Sequence, residues 1–309
     1  MADIITMDTV YRRLKGMGNA ERDVPMKHYT TFKTGGPADI IFRPGNREQL
    51  REAVACVRGY GVPLTVVGGG SNLLVSDKGI RGVVLLLAGG DGTRGKITFC
   101  GDSRVYAEAE VDKREFVDFC LNAGLGGMEF LAGMPGCIGG GIAMNAGTNM
   151  GTFAGILDAV EFLDGSGELR TAEITTDMAH YRKMDLGRDA IVLGGFFRLS
   201  KSPDPGTVRQ TVSRLISERN MKHPMGYPSA GSVFKNPANH SSWKLINDAG
   251  LKGKRIGGAM VSELHTNFII NVDNATSEDV RSLIEYVRHE VHEQFGVTLE
   301  PEVRMVGDF

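Results

Sequence analysis

From Ser277 to Phe295 the apolar residues Val280, Leu283, Ile284, Val287, Val291 and Phe295 recur at helical intervals. That spacing places them on one face of an α-helix, and Gly296 marks its end. A second helix is predicted over 46–60, where Asn46 can cap, Leu50, Val54 and Val57 share a face, and Gly61 follows. Asp112 and Glu115 have the spacing of a capping box for a helix through Leu121, with Gly124 just beyond. Val208, Val212, Leu215 and Ile216 define another helical face, and residues 1–24 read as a short helix and connector.

Between these helices lie short apolar runs of strand length: Ile40–Phe42, Pro63–Val67, Gly82–Leu87, Ile97–Cys100, Val105–Val111, Ala190–Leu199 and Asn267–Val272. Ala159–Leu163 and Leu169–Ile174 flank Asp164-Gly165-Ser166-Gly167, a hairpin signal. Strand, helix and strand over 40–67 make a small β-α-β unit. Lys201–Gly206, with two prolines and a glycine, is the best linker, and residues 207–309 read as a separate α+β unit.

Glycine breaks this pattern twice. Gly68, Gly69 and Gly70 follow the strand at 63–67 and lead into Ser71 and Asn72. Successive bare N–H groups in such a turn form a concave, partly positive nest suited to phosphate, and Ser71 and Asn72 add neutral donors. An ordinary glycine-rich loop explains the triplet equally well. It is neither a Rossmann fingerprint nor a P-loop: position 73 is Leu, and no Gly-Lys-Ser/Thr follows. The second stretch, Gly133-Met134-Pro135-Gly136-Cys137-Ile138-Gly139-Gly140-Gly141 and then Asn145-Ala146-Gly147, repeats the chemistry and tips the balance towards one extended diphosphate ligand.

Composition narrows the class. With 309 residues the chain is long enough for two or three domains. A formal net charge of -2 gives no reason to expect nucleic acid. No run is apolar for long enough to span a bilayer, and the start lacks a signal core. Cys56, Cys100, Cys120 and Cys137 form no CxxC pair, which suits a reducing cytoplasm better than a disulfide scaffold or a structural zinc site. His289 and His292 lie among charged residues on the last helix, and His223 and His265 stand alone, so no metal is expected.

Three polar clusters could carry chemistry. Ser232, within Gly226–Pro237, follows a glycine on what reads as a tight turn; taken alone it is a turn residue. His180-Tyr181-Arg182-Lys183 taken alone is a solvated basic turn. Glu300 and Glu302 would share one face of a strand, opposite Val303, and taken alone belong to a charged edge.

Together these segments resemble the UDP-N-acetylenolpyruvoylglucosamine reductase (MurB) family along almost the whole chain. The resemblance is carried by TFKTGGPAD at 31–39, VGGGSNLLVSD at 67–77, GMEFLAGMPGCIGGGIAMNAG at 127–147 and Tyr181-Arg182. It continues through PSAGSVFKNP at 228–237, AGLKGKRIGGAMVSELHTNFIIN at 249–271 and LEPEV at 299–303. Their order and spacing are specific where each alone is weak.

The resemblance implies an α+β chain with an FAD-binding fold of the vanillyl-alcohol-oxidase (PCMH) type. That fold has two α+β subdomains, expected at 1–75 and 76–203, with a C-terminal α+β substrate domain at 204–309. It implies non-covalent FAD, NADPH as hydride donor, and reduction of UDP-N-acetylglucosamine enolpyruvate to UDP-N-acetylmuramate, a peptidoglycan precursor. The family's catalytic positions fall on Arg182, Ser232 and Glu302. Cofactor contacts fall on Thr34 and Gly35, on Gly68, Gly69, Gly70, Ser71 and Asn72, and on the second glycine stretch. In that stretch they are Gly133, Pro135, Gly136, Ile138, Gly139, Gly140, Asn145 and Gly147. Substrate contacts fall on Tyr181, Tyr227, Lys235, Asn236 and His265.

The expected partner is a small UDP-sugar, with neither nucleic acid nor membrane insertion, in a cytoplasmic monomer or weak oligomer. The run from Asn236 to Gly250 is short, so the chain resembles the family's second type, which lacks a long tyrosine-bearing loop. It departs from the family pattern at Met184, Gly141 and Thr148-Asn149-Met150, and lacks a tryptophan near Val111-Asp112. The alternatives are another flavin oxidoreductase of the same fold and a non-catalytic flavin-binding module.

Overall fold

The computed structural model describes residues 4–87, 95–202 and 204–309. Pro203, inside the expected linker, lies outside the described residues. Two compact units form: Met1–Ala20, Phe42–Gly69 and Leu85–Arg219 make one, and Glu21–Ile41, Gly70–Val84 and Asn220–Phe309 make the other. The expected cuts after 75 and 203 divide the chain into consecutive pieces, whereas these units interleave along it.

The first unit is built on a five-stranded sheet in the order Leu169–Glu173, Leu157–Leu163, Ile191–Arg198, Arg104–Glu108 and Ile97–Phe99. Every neighbouring pair is antiparallel. The predicted hairpin is there, pairing Leu163 with Leu169. Alternation along Arg104–Glu108 buries Val105 and Ala107, and the helix Lys113–Asn122 covers that face with Phe116, Val117 and Cys120. The Phe116 and Phe197 rings lie 4.7 Å apart. Burying each such side chain is worth about 1.5–3 kcal/mol. Asp112 caps the helix by accepting from the Arg114 N–H at 2.8 Å, one residue earlier than a capping box would have it. The helix Arg47–Gly59 begins at Asn46, whose Oδ1 accepts from Gln49 as the sequence suggests.

The helix Pro205–Lys222 corrects one boundary. Its face of Val208, Val212 and Leu215 packs on the core of the first unit, so the helix up to Arg219 belongs there and not with the C-terminal segment.

The second unit packs the helix Ser277–Phe295 against a small sheet of Arg255–Ile256, Ala259–Val261 and Ile269–Asn271. Val280, Leu283, Ile284, Val287 and Val291 are buried along it, as their spacing predicts. Thr276 and Asp279 form a true capping box at its start, and Gly296 ends it at φ 67°. Leu73–Val75 pairs in parallel with Arg304–Val306.

Candidate active site

In the first unit the two glycine stretches abut. A Cβ on Gly69 would lie 3.0 Å from the Gly136 Cα, and one on Gly68 would lie 2.4 Å from the Cys137 Sγ. Neither position has room for a side chain. The second stretch is not a loop throughout: Ile138–Ala143 is a helix. Its Ile138 and Gly139 N–H groups already donate to the carbonyls of Val111 and Ala109, at 2.8 and 2.9 Å. These two amides therefore brace the stretch, and any phosphate donors come from other amides.

Lys113 braces the same stretch from the other side. It is 5% exposed, its Nζ donates to the Pro135 carbonyl at 2.9 Å, and its N–H donates to Gly136 at 3.0 Å. Burial pulls its ammonium down to about 8, with Cys137 and Asp112 opposing and Arg219 adding to the effect. A Cβ on Gly141 would lie 2.9 Å from the Lys113 Cε and 2.3 Å from the Phe153 ring, so glycine at 141 makes room for both. Sequence reasoning passed over Lys113. Its signal was a cation in the first turn of a helix, where the dipole disfavours it.

Tyr181 and Arg182 form a two-residue loop between Ala179–His180 and Lys183–Met184. Arg182 adopts φ 61°, and its Nη1 donates to the Gly147 carbonyl at 3.1 Å. Its guanidinium lies 5.0 Å from the centroid of the Tyr181 ring, which is 56% exposed. The buried Asn145 ties this hairpin down: its Nδ2 donates to the His180 carbonyl at 3.0 Å, and its Oδ1 accepts from Ala154 at 3.0 Å. Arg182, Asn145 and Gly147 thus form one group. Gly133 sits beside the Arg219 stem, where a Cβ would meet Cδ at 3.1 Å. A Cβ on Gly140 would meet the Cys137 Sγ at 3.7 Å.

The second unit gathers the other polar positions. Ser232 forms a bridge with Phe268, and Phe234 one with Pro301. The Val233 carbonyl accepts the Glu302 N–H at 2.7 Å, and the Val233 N–H donates to Asn267 at 2.8 Å. The Ser232 segment is therefore held between 267–268 and 300–302. Glu300–Glu302 is not a regular strand as expected: the pairing is one bridge at Pro301, and the strand begins at Arg304. Asn72, expected to donate to phosphate, gives its Nδ2 to the Glu302 carbonyl at 3.1 Å and accepts the Arg304 N–H at 3.0 Å. Gly70, at φ 61°, passes so close to Tyr29 that a Cβ would lie 1.8 Å from its carbonyl oxygen; Ser71 follows it directly.

Lys235 pairs with Glu300, and the Asn236 Oδ1 accepts the Ser242 N–H at 3.0 Å. Tyr227 is half exposed. His265 packs against His223 and Phe268, with ring centroids 5.2 and 5.0 Å away. Its Nδ1 is buried without a hydrogen-bond partner among the described residues, and burial pulls its imidazole down. In the second unit Thr34 and Gly35 line a cleft of ≈ 570 Å³ with Lys27, Lys33 and Asp77. Among the described residues no group of three or more His, Cys, Asp or Glu side chains is placed to hold a metal, and no helix is long and apolar enough to cross a membrane.

Residues 38–173 match the FAD binding domain model, and residues 223–306 match the C-terminal domain of UDP-N-acetylenolpyruvoylglucosamine reductase. A reductase of that name from Geobacter metallireducens is 42% identical over 307 residues, 97% of this chain and 99% of the relative. The chain belongs to the UDP-N-acetylenolpyruvoylglucosamine reductase family. Its counterpart from Caldanaerobacter subterraneus is 40% identical over the full length of both chains. The crystal structure of the Thermus caldophilus reductase superposes with a TM-score of 0.79 at 33% identity, covering 94% of this chain and 99% of that one. As a member of the family the chain is an FAD-dependent oxidoreductase with the PCMH-type fold and a C-terminal MurB domain. The residues present fit FAD: in the first unit Gly68 and Gly69 run so close to Gly136 and Cys137 that neither admits a side chain, and in the second unit the Thr34 Oγ1 is buried with no hydrogen-bond partner among the described residues.

Proposed function

We propose that this chain reduces UDP-N-acetylglucosamine enolpyruvate to UDP-N-acetylmuramate with NADPH as donor, in the cytoplasm, as a step of peptidoglycan precursor synthesis. The observation that carries the reading is the join at Val233, which fastens the Ser232 and Glu302 segments to each other. A flavin-binding module without chemistry has no need to hold a hydroxyl and a carboxylate in one register.

On this reading Thr34, Gly35, Gly68, Gly69, Gly70, Ser71, Asn72, Gly133, Pro135, Gly136, Gly140, Asn145 and Gly147 would hold FAD, while Ile138 and Gly139, whose amides are already bonded within the chain, keep the second stretch in shape. When bound, FAD supplies hydride chemistry, passing two electrons from NADPH to the terminal carbon of the enolpyruvyl group. The chain's residues handle the charge and the proton. Hydride addition pushes charge into the substrate carboxylate as an enediolate, and the permanent, planar cation of Arg182 suits that charge. Ser232 delivers a proton to the adjacent carbon: a hydroxyl is a weak acid, but the enediolate is strongly basic, and water can replace the proton lost. Glu302 steadies the intermediate or orients its partners. Tyr181, Tyr227, Lys235, Asn236 and His265 contact the nucleotide and carboxylate parts of the substrate.

Anaerobic visible absorption tests the reading. The purified protein, reconstituted with FAD, should show a flavin spectrum that bleaches with NADPH and returns with UDP-N-acetylglucosamine enolpyruvate. Bleaching without that return would replace the reading with another flavin oxidoreductase.

A further inference from the structure

Asn267 is 5% exposed, and among the described residues its side chain makes both of its hydrogen bonds to one residue, Phe234. Its Nδ2 donates to the Phe234 carbonyl at 2.9 Å, and its Oδ1 accepts the Phe234 N–H at 3.0 Å. Its own carbonyl accepts the Val233 N–H at 2.8 Å. The side-chain amide therefore does for Phe234 what a neighbouring strand's peptide would do. Phe234 is 2% exposed, so water cannot stand in for these bonds.

On the other side of Ser232 the chain is held one residue further off, where Ala230 is buried and the Pro228 carbonyl accepts the Asn271 N–H at 2.9 Å. Gly231 adopts φ 78°, and nothing lies within 4 Å of where its Cβ would be. Between that anchor and Ser232 stands the permissive Gly231, whereas on the C-terminal side Val233 and Phe234, the next two residues, are both hydrogen-bonded. On that side Asn267 binds one edge, while Glu302 and Glu300 bind the other through the Val233 carbonyl and the Lys235 N–H.

We propose that Asn267 is a positioning residue for proton transfer from Ser232, its side-chain amide fixing where the hydroxyl lies relative to Glu302. The inference rests on Ser232 being the proton donor. Misplacing a reacting group by about 1 Å can cost on the order of a hundredfold in rate, so the register of this short segment matters.

Asn267→Asp gives the sharpest test. It keeps the oxygen that accepts from Phe234, and puts a second oxygen against the Phe234 carbonyl. Protonated, that oxygen donates as Nδ2 did; ionised, it repels. Burial raises a carboxyl pKa, so the protonated form persists into the neutral range. Stopped-flow absorption with the FAD-loaded protein separates the two half-reactions. Bleaching by NADPH should stay within about twofold of the parent, because no bond to Phe234 takes part in it. Reoxidation by enolpyruvyl substrate should fall at least about tenfold at pH 8 and recover towards the parent rate near pH 6, a recovery the parent does not show. Asn267→Asp added to Ser232→Ala should slow reoxidation no further.

Parent-like reoxidation at every pH would overturn the inference. So would equal losses in both half-reactions that track a lowered Tm, since that is a general structural defect. Ser232→Ala alone separates the two levels: if it reoxidises at the parent rate, the proton-donor reading fails. If it is slow while Asn267→Asp is not, only the positioning role fails. Should Asn267→Asp not fold, Asn267→Ser removes both side-chain bonds without adding charge. It should show the same split between half-reactions, and parent-like reoxidation in that variant would overturn the inference equally.

Discussion

Glu302 donates its backbone N–H to the carbonyl of Val233 at 2.7 Å, and Val233 is the residue after Ser232. The proposed acid and the proposed carboxylate thus ride on two backbones joined by hydrogen bonds that neither side chain makes. Removing either functional group should leave that join intact. Ser232→Ala and Glu302→Gln are therefore expected to keep bound FAD and to change stability by no more than about 0.5 kcal/mol. Substrate-driven reoxidation should fall roughly 10²–10⁴-fold in each, the usual range for a lost acid–base group. The double variant should be little slower than the worse single one, because the two groups act in one step. Transient absorption at the flavin band measures all three; loss of FAD from Glu302→Gln would assign Glu302 a structural role.

Gly70 and Gly61 have nearly the same backbone, φ 61° and 64°, in different surroundings. A Cβ at 61 meets nothing within 4 Å, while one at 70 meets the Tyr29 carbonyl oxygen at 1.8 Å. Gly61→Ala should cost only the left-handed strain, about 1 kcal/mol. Gly70→Ala adds an overlap with backbone and should cost well above that, with reduced flavin content in the purified protein. Urea unfolding of the two variants side by side checks the contrast, and equal losses would mean that Gly70 is there for φ alone.

The helix at 47–59 was legible because periodicity, cap and terminating glycine agreed, and the helix at 277–295 because periodicity and terminating glycine did. The helix Ile138–Ala143 was not, because three glycines are poor helix formers. Packing overrides propensity there: a Cβ at Gly139 would lie 2.7 Å from the Ala109 Cβ, so the glycines let this helix pack against its neighbours. The helix Pro205–Lys222 showed its apolar face in the sequence, but not which core that face covers. Ser232, Glu302 and Arg182 are proposed through family motifs, since each alone reads as an ordinary turn or edge residue. Asn267 carries no such mark. Its partner Phe234 lies 33 positions away, and hydrogen bonds of that range leave no period in a sequence.

Arg182 combines strain with a proposed role in the reaction. It occupies the second position of a two-residue loop at φ 61°, where glycine would be more comfortable. Arg182→Ala and Arg182→Gly should lose the same activity, roughly 10²–10³-fold in the reoxidation step, the scale of one lost charge-stabilising donor. Arg182→Gly should nevertheless be the more stable, by about 1 kcal/mol, because it relieves the left-handed backbone. Arg182→Lys should recover only part of the rate, since an ammonium lacks the planar fork. Thermal melts and single-turnover kinetics on the three variants separate the strain from the chemistry.

Lys113 gives the protein a pH signature of its own. Burial beneath the second glycine stretch pulls its ammonium down to about 8, while lysine in an unfolded chain titrates near ~10.4. Below pH 8 both states hold the proton, and the cost of the buried charge is fully present. Between about 8 and ~10.4 the unfolded chain keeps a proton that the folded one has released, so this group's contribution becomes less unfavourable as pH rises. A displacement of that size corresponds to roughly 3 kcal/mol across the window. Lys113→Met keeps the stem's bulk against Phe153 but loses the charge and the bond to the Pro135 carbonyl. Stability of the parent minus that of Lys113→Met, from urea unfolding at fixed FAD, should be flat from pH 6 to about 7.5 and then climb towards pH 10. A difference that stayed level across the whole range would mean that the ammonium keeps its ordinary value in the folded protein and that the bond to Pro135 is its entire contribution.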